Sequence, residues 1–193
     1  MKIVSLFGSP RARANSSLIA ERFCATAQKL GAEVRAFTLN DLNFRGCQGC
    51  YACKTKLDRC ALKDDLTEVL EAVRETDILV LASPVYYWDI SAQLKAFLDR
   101  TFSFLVPDFI TNPQKSRLEP GKKLVLILAQ NNPDKDSFTN IFQKFDYFFR
   151  AYGFTDTRQI RAFGTNDPGV VETHQDVMEL AEKAAHEMCG GNQ

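Results

Sequence analysis

Along the chain, short runs of continuous apolar residues alternate with longer stretches in which apolar residues recur every three or four positions. The first run, Lys2–Phe7 (KIVSLF), ends at Gly8-Ser9-Pro10 and predicts a strand. From Ser16 to Leu30, Leu18, Ile19, Phe23 and Leu30 fall near one stripe with Gly31 as a stop, which predicts a helix. Glu33–Leu39 reads as a second strand. Asp64 and Asp65 open a helix at the end where its dipole favours carboxylates, and Leu66, Val69, Leu70 and Val73 form its apolar face. Asp77–Ala82 (DILVLA) and Lys123–Ala129 (KLVLILA) are almost wholly apolar, the pattern of strands buried on both faces of a parallel sheet. Helices are expected over Ile90–Phe102 and Ser137–Tyr152, the second with Phe138, Ile141, Phe142, Phe145, Phe148 and Phe149 at helical spacing. A weaker strand over Thr155–Ala162, suited to a sheet edge, precedes a last helix over Val170–Met188.

This order is five consecutive β–α units. It predicts an α/β three-layer sandwich, a five-stranded parallel sheet covered by helices on both faces. Five strands suit the doubly wound order 2-1-3-4-5 better than a six-stranded dinucleotide fold. At 193 residues the chain is expected to form one domain over 1–193. Two departures from the pattern are a cysteine loop over 44–63 and an irregular insertion over 105–121 with Pro107, Pro113 and Pro120. Composition adds exclusions. The 24 Lys and Arg cancel the 24 Asp and Glu, so the basic footprint needed for nucleic acid or an anionic membrane is missing. Only Lys2 precedes the first short apolar run, and no stretch approaches the ~20 apolar residues of a membrane span. A cytoplasmic location is the expectation.

In the order 2-1-3-4-5 a ligand belongs at the carboxyl ends of strands one and three, where the strand order reverses. The loop after strand one, Gly8 to Ser17 (GSPRARANSS), lacks both GxGxxG and GxxxxGK[ST]. It offers hydroxyls, an Asn amide, two arginines and the free N–H groups of a helix start, a set that binds one phosphate or simply caps a helix. After strand three comes Ser83-Pro84-Val85-Tyr86-Tyr87-Trp88, whose aromatic rings suit a wall against a flat ligand. Gln130-Asn131-Asn132-Pro133, after strand four, adds amides. A phosphate nest beside an aromatic slot, with no metal-nucleotide machinery, points to flavin mononucleotide (FMN).

GSPR…NSS, SPVYYWDISAQLKAFLDR and C-x2-C-x2-C-x6-C followed by Asp64-Asp65 resemble the NADPH-dependent FMN reductase-like flavoproteins, and among them the iron–sulfur flavoproteins. The resemblance spans nearly the whole chain and implies a flavodoxin-like fold with bound FMN. It implies that Ser9, Arg11, Asn15, Ser16 and Ser17 hold the phosphate. It also implies that Pro84, Val85, Tyr86, Tyr87 and Trp88 line the ring, and Gln130, from its place after strand four, joins them as a cofactor-binding candidate. A homodimer or homotetramer with the flavin near a subunit interface is implied as well. Ala12, Arg13 and Ala14 depart from the commoner Gly- and Lys-bearing versions of the first loop. The chemistry then belongs to the flavin, and no protein side chain is assigned as catalytic.

Of six cysteines, Cys47, Cys50, Cys53 and Cys60 lie together, while Cys24 and Cys189 fall on helices as small core or surface residues. Two successive x2 spacings resemble those that wrap a [4Fe–4S] cluster in bacterial ferredoxins, with Cys60 as fourth ligand on the iron–sulfur flavoprotein pattern. Zinc and free redox thiols are the other two readings of the same spacing. His174 and His186 have no spaced partner and read as surface positions. The leading function is an FMN-dependent oxidoreductase moving electrons between NAD(P)H or ferredoxin and a small acceptor. Its competitors are a non-enzymatic flavodoxin-like electron carrier and a cysteine-based redox or metal sensor.

Overall fold

The chain enters on β1 (Lys2–Phe7) and passes through α1 (Asn15–Lys29) to β2 (Glu33–Thr38). A one-turn helix, α2 (Ala52–Thr55), lies within the cysteine loop, and α3 (Leu66–Glu75) leads to β3 (Ile78–Tyr86). The two-residue β4 (Asp89–Ile90) precedes α4 (Ala92–Arg100); β5 (Lys122–Ala129), α5 (Asn140–Ala151), β6 (Phe154–Ala162) and α6 (Gln175–Cys189) complete the order. The structure is a computed structural model that describes residues 1–190. Five strands pair in parallel in the order β2-β1-β3-β5-β6, and β4 pairs with β3 off this path. That is the expected order 2-1-3-4-5 with one short strand inserted into the count.

The alternation of residues along the buried strands divides the core in two. Leu79 and Leu81 of β3 and Leu124, Leu126 and Leu128 of β5 face α3, α4 and α5, where Val69, Phe97 and Phe149 meet them. Ile78, Val80, Val125 and Ile127 face the opposite way, onto Ile19 and Phe23 of α1 and Met178 and Ala181 of α6. Both clusters consist of side chains removed from water, each stabilising by roughly 1.5–3 kcal/mol when a large aliphatic or Phe is fully buried.

Element ends depart from the sequence pattern where local geometry intervenes. β3 runs on past Ala82 because Ser83 and Pro84 continue the pairing with β5 and because β4 folds back on the end, pairing Val85 with Ile90 and Tyr86 with Asp89. The helix expected from Ile90 therefore starts at Ala92, where the Ser91 hydroxyl accepts from the Leu94 N–H. α5 starts at Asn140 rather than Ser137 because Phe138 adopts φ 64°. The last helix is interrupted at His174, after a 3-10 turn over Val170–Thr173. The insertion after Leu105 closes on itself through a Leu105–Ser116 bridge, with Arg117 N donating to Phe104 O at 2.7 Å.

One close approach fixes how α4 meets the sheet. A Cβ on Gly8 would lie 2.9 Å from both Leu94 Cβ and Ser91 Oγ and 3.0 Å from Ala82 O. These atoms belong to a strand and a helix start, which cannot swing aside as a flexible side chain does. Gly8→Ala is expected to destabilise by about 1–3 kcal/mol, read from the urea midpoint. A midpoint equal to the parent's would mean the layers separate freely there.

Candidate functional site

Where the strand order reverses, the loops after β1 and β3 are bound to each other. Gly8 N donates to Ala82 O at 2.8 Å, and Gly8 O accepts from the Ser91 hydroxyl at 2.6 Å. A recess of about 170 Å³ opens beside this junction, with Ser9, Arg11, Asn15 and Ser16 on one side and Pro84, Val85 and Tyr86 on the other. Asn131, Thr165 and Asn166 complete its rim. α1 starts after Ala14 with no side-chain cap, so its first N–H groups are unsatisfied by the helix itself. Ser16 is 1% exposed and its hydroxyl is buried without a hydrogen-bond partner. A polar group left in that state costs about 1–3 kcal/mol, which a ligand oxygen in the recess recovers. The Arg11 guanidinium donates to Asn166 O at 3.0 Å and has no carboxylate partner among the described residues. Arg13, by contrast, is neutralised by Glu172. An uncapped helix start, an orphaned hydroxyl and an uncompensated cation fit the phosphate of FMN.

Not every residue picked from the sequence offers its side chain to this recess. The Asn15 amide donates to Thr165 O (3.2 Å) and Asp167 O (2.9 Å), and its oxygen accepts from Val171 N (3.1 Å). Its side chain is spent tying α1 to the loop after β6. Ser17 faces a second depression, shared with Arg13, Glu21 and Asp41. Tyr87 and Trp88 form the tip of the β3–β4 hairpin, 93% and 69% exposed, both at positive φ. Two consecutive left-handed residues are what a two-residue hairpin turn requires, and they turn both rings away from the recess that Tyr86 lines. Gln130 is 2% exposed and absent from the recess wall, whereas its neighbour Asn131 is part of it. Thr165 and Asn166 escape a reading of the sequence because each is an ordinary polar residue in a polar loop, whereas Asn131 lies in the amide loop singled out after strand four. Only the position of Asn131 after a buried strand gives a signal.

A larger cavity, about 660 Å³, lies between the cysteine loop, α4 and α5. Cys47, Cys50, Cys53 and Cys60 all border it, facing Phe145 and Phe148. Arg100, 1% exposed, holds the loop on the wall of this cavity. Its Nε donates to Cys60 Sγ at 2.9 Å, and its terminal nitrogens reach Arg45 O at 2.8 Å and both Asp64 oxygens at 2.8 and 3.1 Å. Lys54 donates to Phe102 O and Leu105 O at 2.6 and 2.7 Å, and Arg117 donates to Cys53 O at 3.0 Å. These bonds pin the loop to the insertion. Although the four thiols share one cavity, no group of three or more His, Cys, Asp or Glu among the described residues is placed to hold a metal ion. As placed, the thiols do not form the ligand set of a cluster. Cys24 is a core residue whose thiol burial pushes up to about 11, and burial raises the Cys189 thiol too. His186 is exposed and His174 half-buried. No helix among the described residues is long and apolar enough to cross a membrane.

Comparison with known proteins gives the same picture at two levels. The chain is 36% identical over 101 residues to an iron–sulfur flavoprotein of Methanocaldococcus jannaschii, covering 52% of each protein. It spans about half the length of the curated relatives it matches first. The NAD(P)H:quinone oxidoreductase of Methanothermobacter marburgensis superposes with a TM-score of 0.76 at 19% identity, over 100% of this chain and 99% of the other. An FMN-dependent NADH-azoreductase from Bacillus anthracis, solved with FMN, superposes with a TM-score of 0.74 at 16% identity, over 98% and 99%. At those identities the superpositions show the shared fold. A flavodoxin-like fold family matches residues 1–188, which take in every strand of the sheet and the loops of the recess: the chain belongs to that family.

Proposed function

We propose that this protein is an FMN-dependent oxidoreductase that takes electrons from NAD(P)H and passes them to a small acceptor of the quinone class. The observation that carries the reading is the orphaned Ser16 hydroxyl at an uncapped helix start, beside an arginine without a carboxylate. Bound there, FMN supplies the one- and two-electron chemistry that no side chain of this protein provides. The chain's own part is to hold and orient it. The Ser9 and Ser16 hydroxyls, the first N–H groups of α1 and Arg11 hold the phosphate. Pro84, Val85 and Tyr86 form the wall along which the ring extends, and the Gly8–Ser91 bond keeps both loops in register. The names of the relatives support the donor and acceptor classes. The balanced charge of the chain speaks against a non-enzymatic carrier that docks on basic partners. We place this activity in the cytoplasm and in a homodimer or homotetramer, with ferredoxin as the alternative donor.

The cysteine loop carries a second reading, an iron–sulfur cluster on Cys47, Cys50, Cys53 and Cys60. It is favoured by the iron–sulfur flavoproteins among the relatives and by the single cavity the four thiols border. Since the thiols as placed are not gathered, no electron path is drawn through them. Both readings meet one experiment: an anaerobic absorption spectrum of the purified protein, with flavin, iron and zinc assayed on the same sample. Resolved flavin bands bleached by NADPH or NADH support the oxidoreductase. Flavin bleached only by reduced ferredoxin makes the protein a carrier, and a protein that takes up no FMN removes the proposal. Iron near four atoms per chain, with an air-sensitive shoulder, supports the cluster, and its absence leaves zinc or free thiols.

A further inference from the structure

Gln130 stands at the carboxyl end of β5, where the loop after β5 and the loop after β6 both reach the recess. Each of its hydrogen-bonding groups is committed inside the protein. Its N–H donates to Ala162 O at 2.9 Å, and its carbonyl accepts from Thr165 N at 3.0 Å and Thr165 Oγ1 at 3.1 Å. Its side-chain nitrogen donates to Asn132 O at 2.8 Å and Asp134 O at 3.0 Å. Its side-chain oxygen accepts from Arg161 at 2.7 Å. Gln130 is thus a hub that faces away from any ligand and leaves the next residue, Asn131, at the rim of the recess.

Arg161 completes the hub from outside the loop. It sits on β6 beside Ala162, which is in register with Ala129 of β5, so its backbone is fixed by the sheet. Besides Gln130, its guanidinium donates to Lys135 O at 2.8 Å and to Ser137 O. Three oxygens of residues 130–137 are therefore held by one cation, and a planar guanidinium spans them where a single ammonium point charge cannot. The guanidinium also lies over the Phe163 ring at 4.8 Å.

We propose that Arg161, acting through Gln130, is the positioning residue that presents the Asn131 amide to the hydrogen-bonding edge of the flavin ring. The inference rests on the proposed FMN site and adds to it the residue that reads the ring rather than the phosphate. An amide matches that edge, which offers carbonyl acceptors and one N–H donor, because it carries a donor and an acceptor of its own. Arg161 makes no contact with the ligand. Its loss releases three acceptors of the loop and the placement of Asn131 with them.

The test compares FMN with riboflavin, which has the same ring and no phosphate, by fluorescence titration of the apoprotein. Arg161→Met and Asn131→Ala are each expected to weaken both ligands by about tenfold, the loss of one well-placed hydrogen bond. The double variant is expected to lose little more than either single one, since one residue acts through the other. Ser16→Ala, in contrast, weakens FMN alone. Arg161→Lys, which retains the charge and lets folding be compared by circular dichroism, is expected to fall between parent and Arg161→Met. Unchanged riboflavin affinity in folded Arg161→Met overturns the inference, as do additive losses in the double variant, which would mean Arg161 supports the fold only. A parent protein that binds neither flavin overturns the site itself and this inference with it.

Discussion

Ser16→Asp is expected to abolish FMN binding, by more than 100-fold, while leaving the protein folded. The substitution puts a carboxylate in place of the buried, unpartnered hydroxyl of a residue that lines the recess. At the first turn of α1 that charge is well placed for the helix, because it meets unsatisfied N–H groups at the positive end of the dipole. Burying the charge at a position 1% exposed opposes that gain, so the thermal midpoint is expected to fall while the fold is kept. The same charge repels the phosphate and occupies its donors. A combined measurement of thermal midpoint and FMN affinity separates the two effects. Retained affinity would show that the phosphate lies elsewhere, and the depression beside Arg13 and Ser17 would be the next place to look.

Arg100→Met is expected to have the largest effect on stability, about 3–5 kcal/mol, because it removes one partner of a buried ion pair and strands the other. A loss of that size lowers the midpoint of a domain of this length by roughly 10 °C. The guanidinium leaves Asp64, Arg45 O and Cys60 Sγ without their donor at once. Both ends of the cysteine loop then lose the side chain that bridges them, and keep only the Asn43–Asp65 and Arg45–Asp64 bonds. A midpoint within 2 °C of the parent's, on a scale where each kcal/mol moves it by about that much, would show that the loop is held by other contacts.

Asp64 makes the same linkage visible through pH. Burial alone would raise its pKa, but hydrogen bonds from Arg100 and the Arg45 backbone, with the charge of Arg100, outweigh burial and hold it below the ordinary carboxylate value. A carboxyl depressed in the folded state contributes stability above its unfolded pKa of about 4 and loses it as pH falls through the folded value. Asp134 and Asp146 are depressed as well and share that acid window. The contribution of Asp64 is therefore read as a difference: Asp64→Asn should lose less stability than the parent between about pH 4 and 2, from a lower starting point at neutral pH. Parallel curves would mean that Asp64 titrates unperturbed.

The sequence by itself determined the layers and which loops meet at the recess. Continuous apolar runs at Ile78–Ala82 and Lys123–Ala129 specify strands buried on both faces, and with βα alternation they leave essentially one handedness and few strand orders. The order in turn puts functional loops after β1 and β3, and Ser9, Arg11, Ser16, Pro84, Val85 and Tyr86 do meet at one recess. The strand order and the meeting of these loops are legible because periodicity and chain order are properties of the sequence itself. What only the tertiary structure decided is the use each polar side chain is put to. Asn15 and Gln130 have the chemistry of ligand-binding residues, yet partners far along the chain, at Thr165, Asp167, Val171 and Arg161, consume their hydrogen bonds. Tyr87 and Trp88 look like a ring wall until the two-residue turn rotates them into solvent. Arg100 ends a helix like any basic residue, and only the return of the cysteine loop across α4 buries it. A side chain's hydrogen-bonding capacity is fixed by its type, but the partner that claims it comes from wherever the fold brings an acceptor within 3 Å, and no local pattern records that distance.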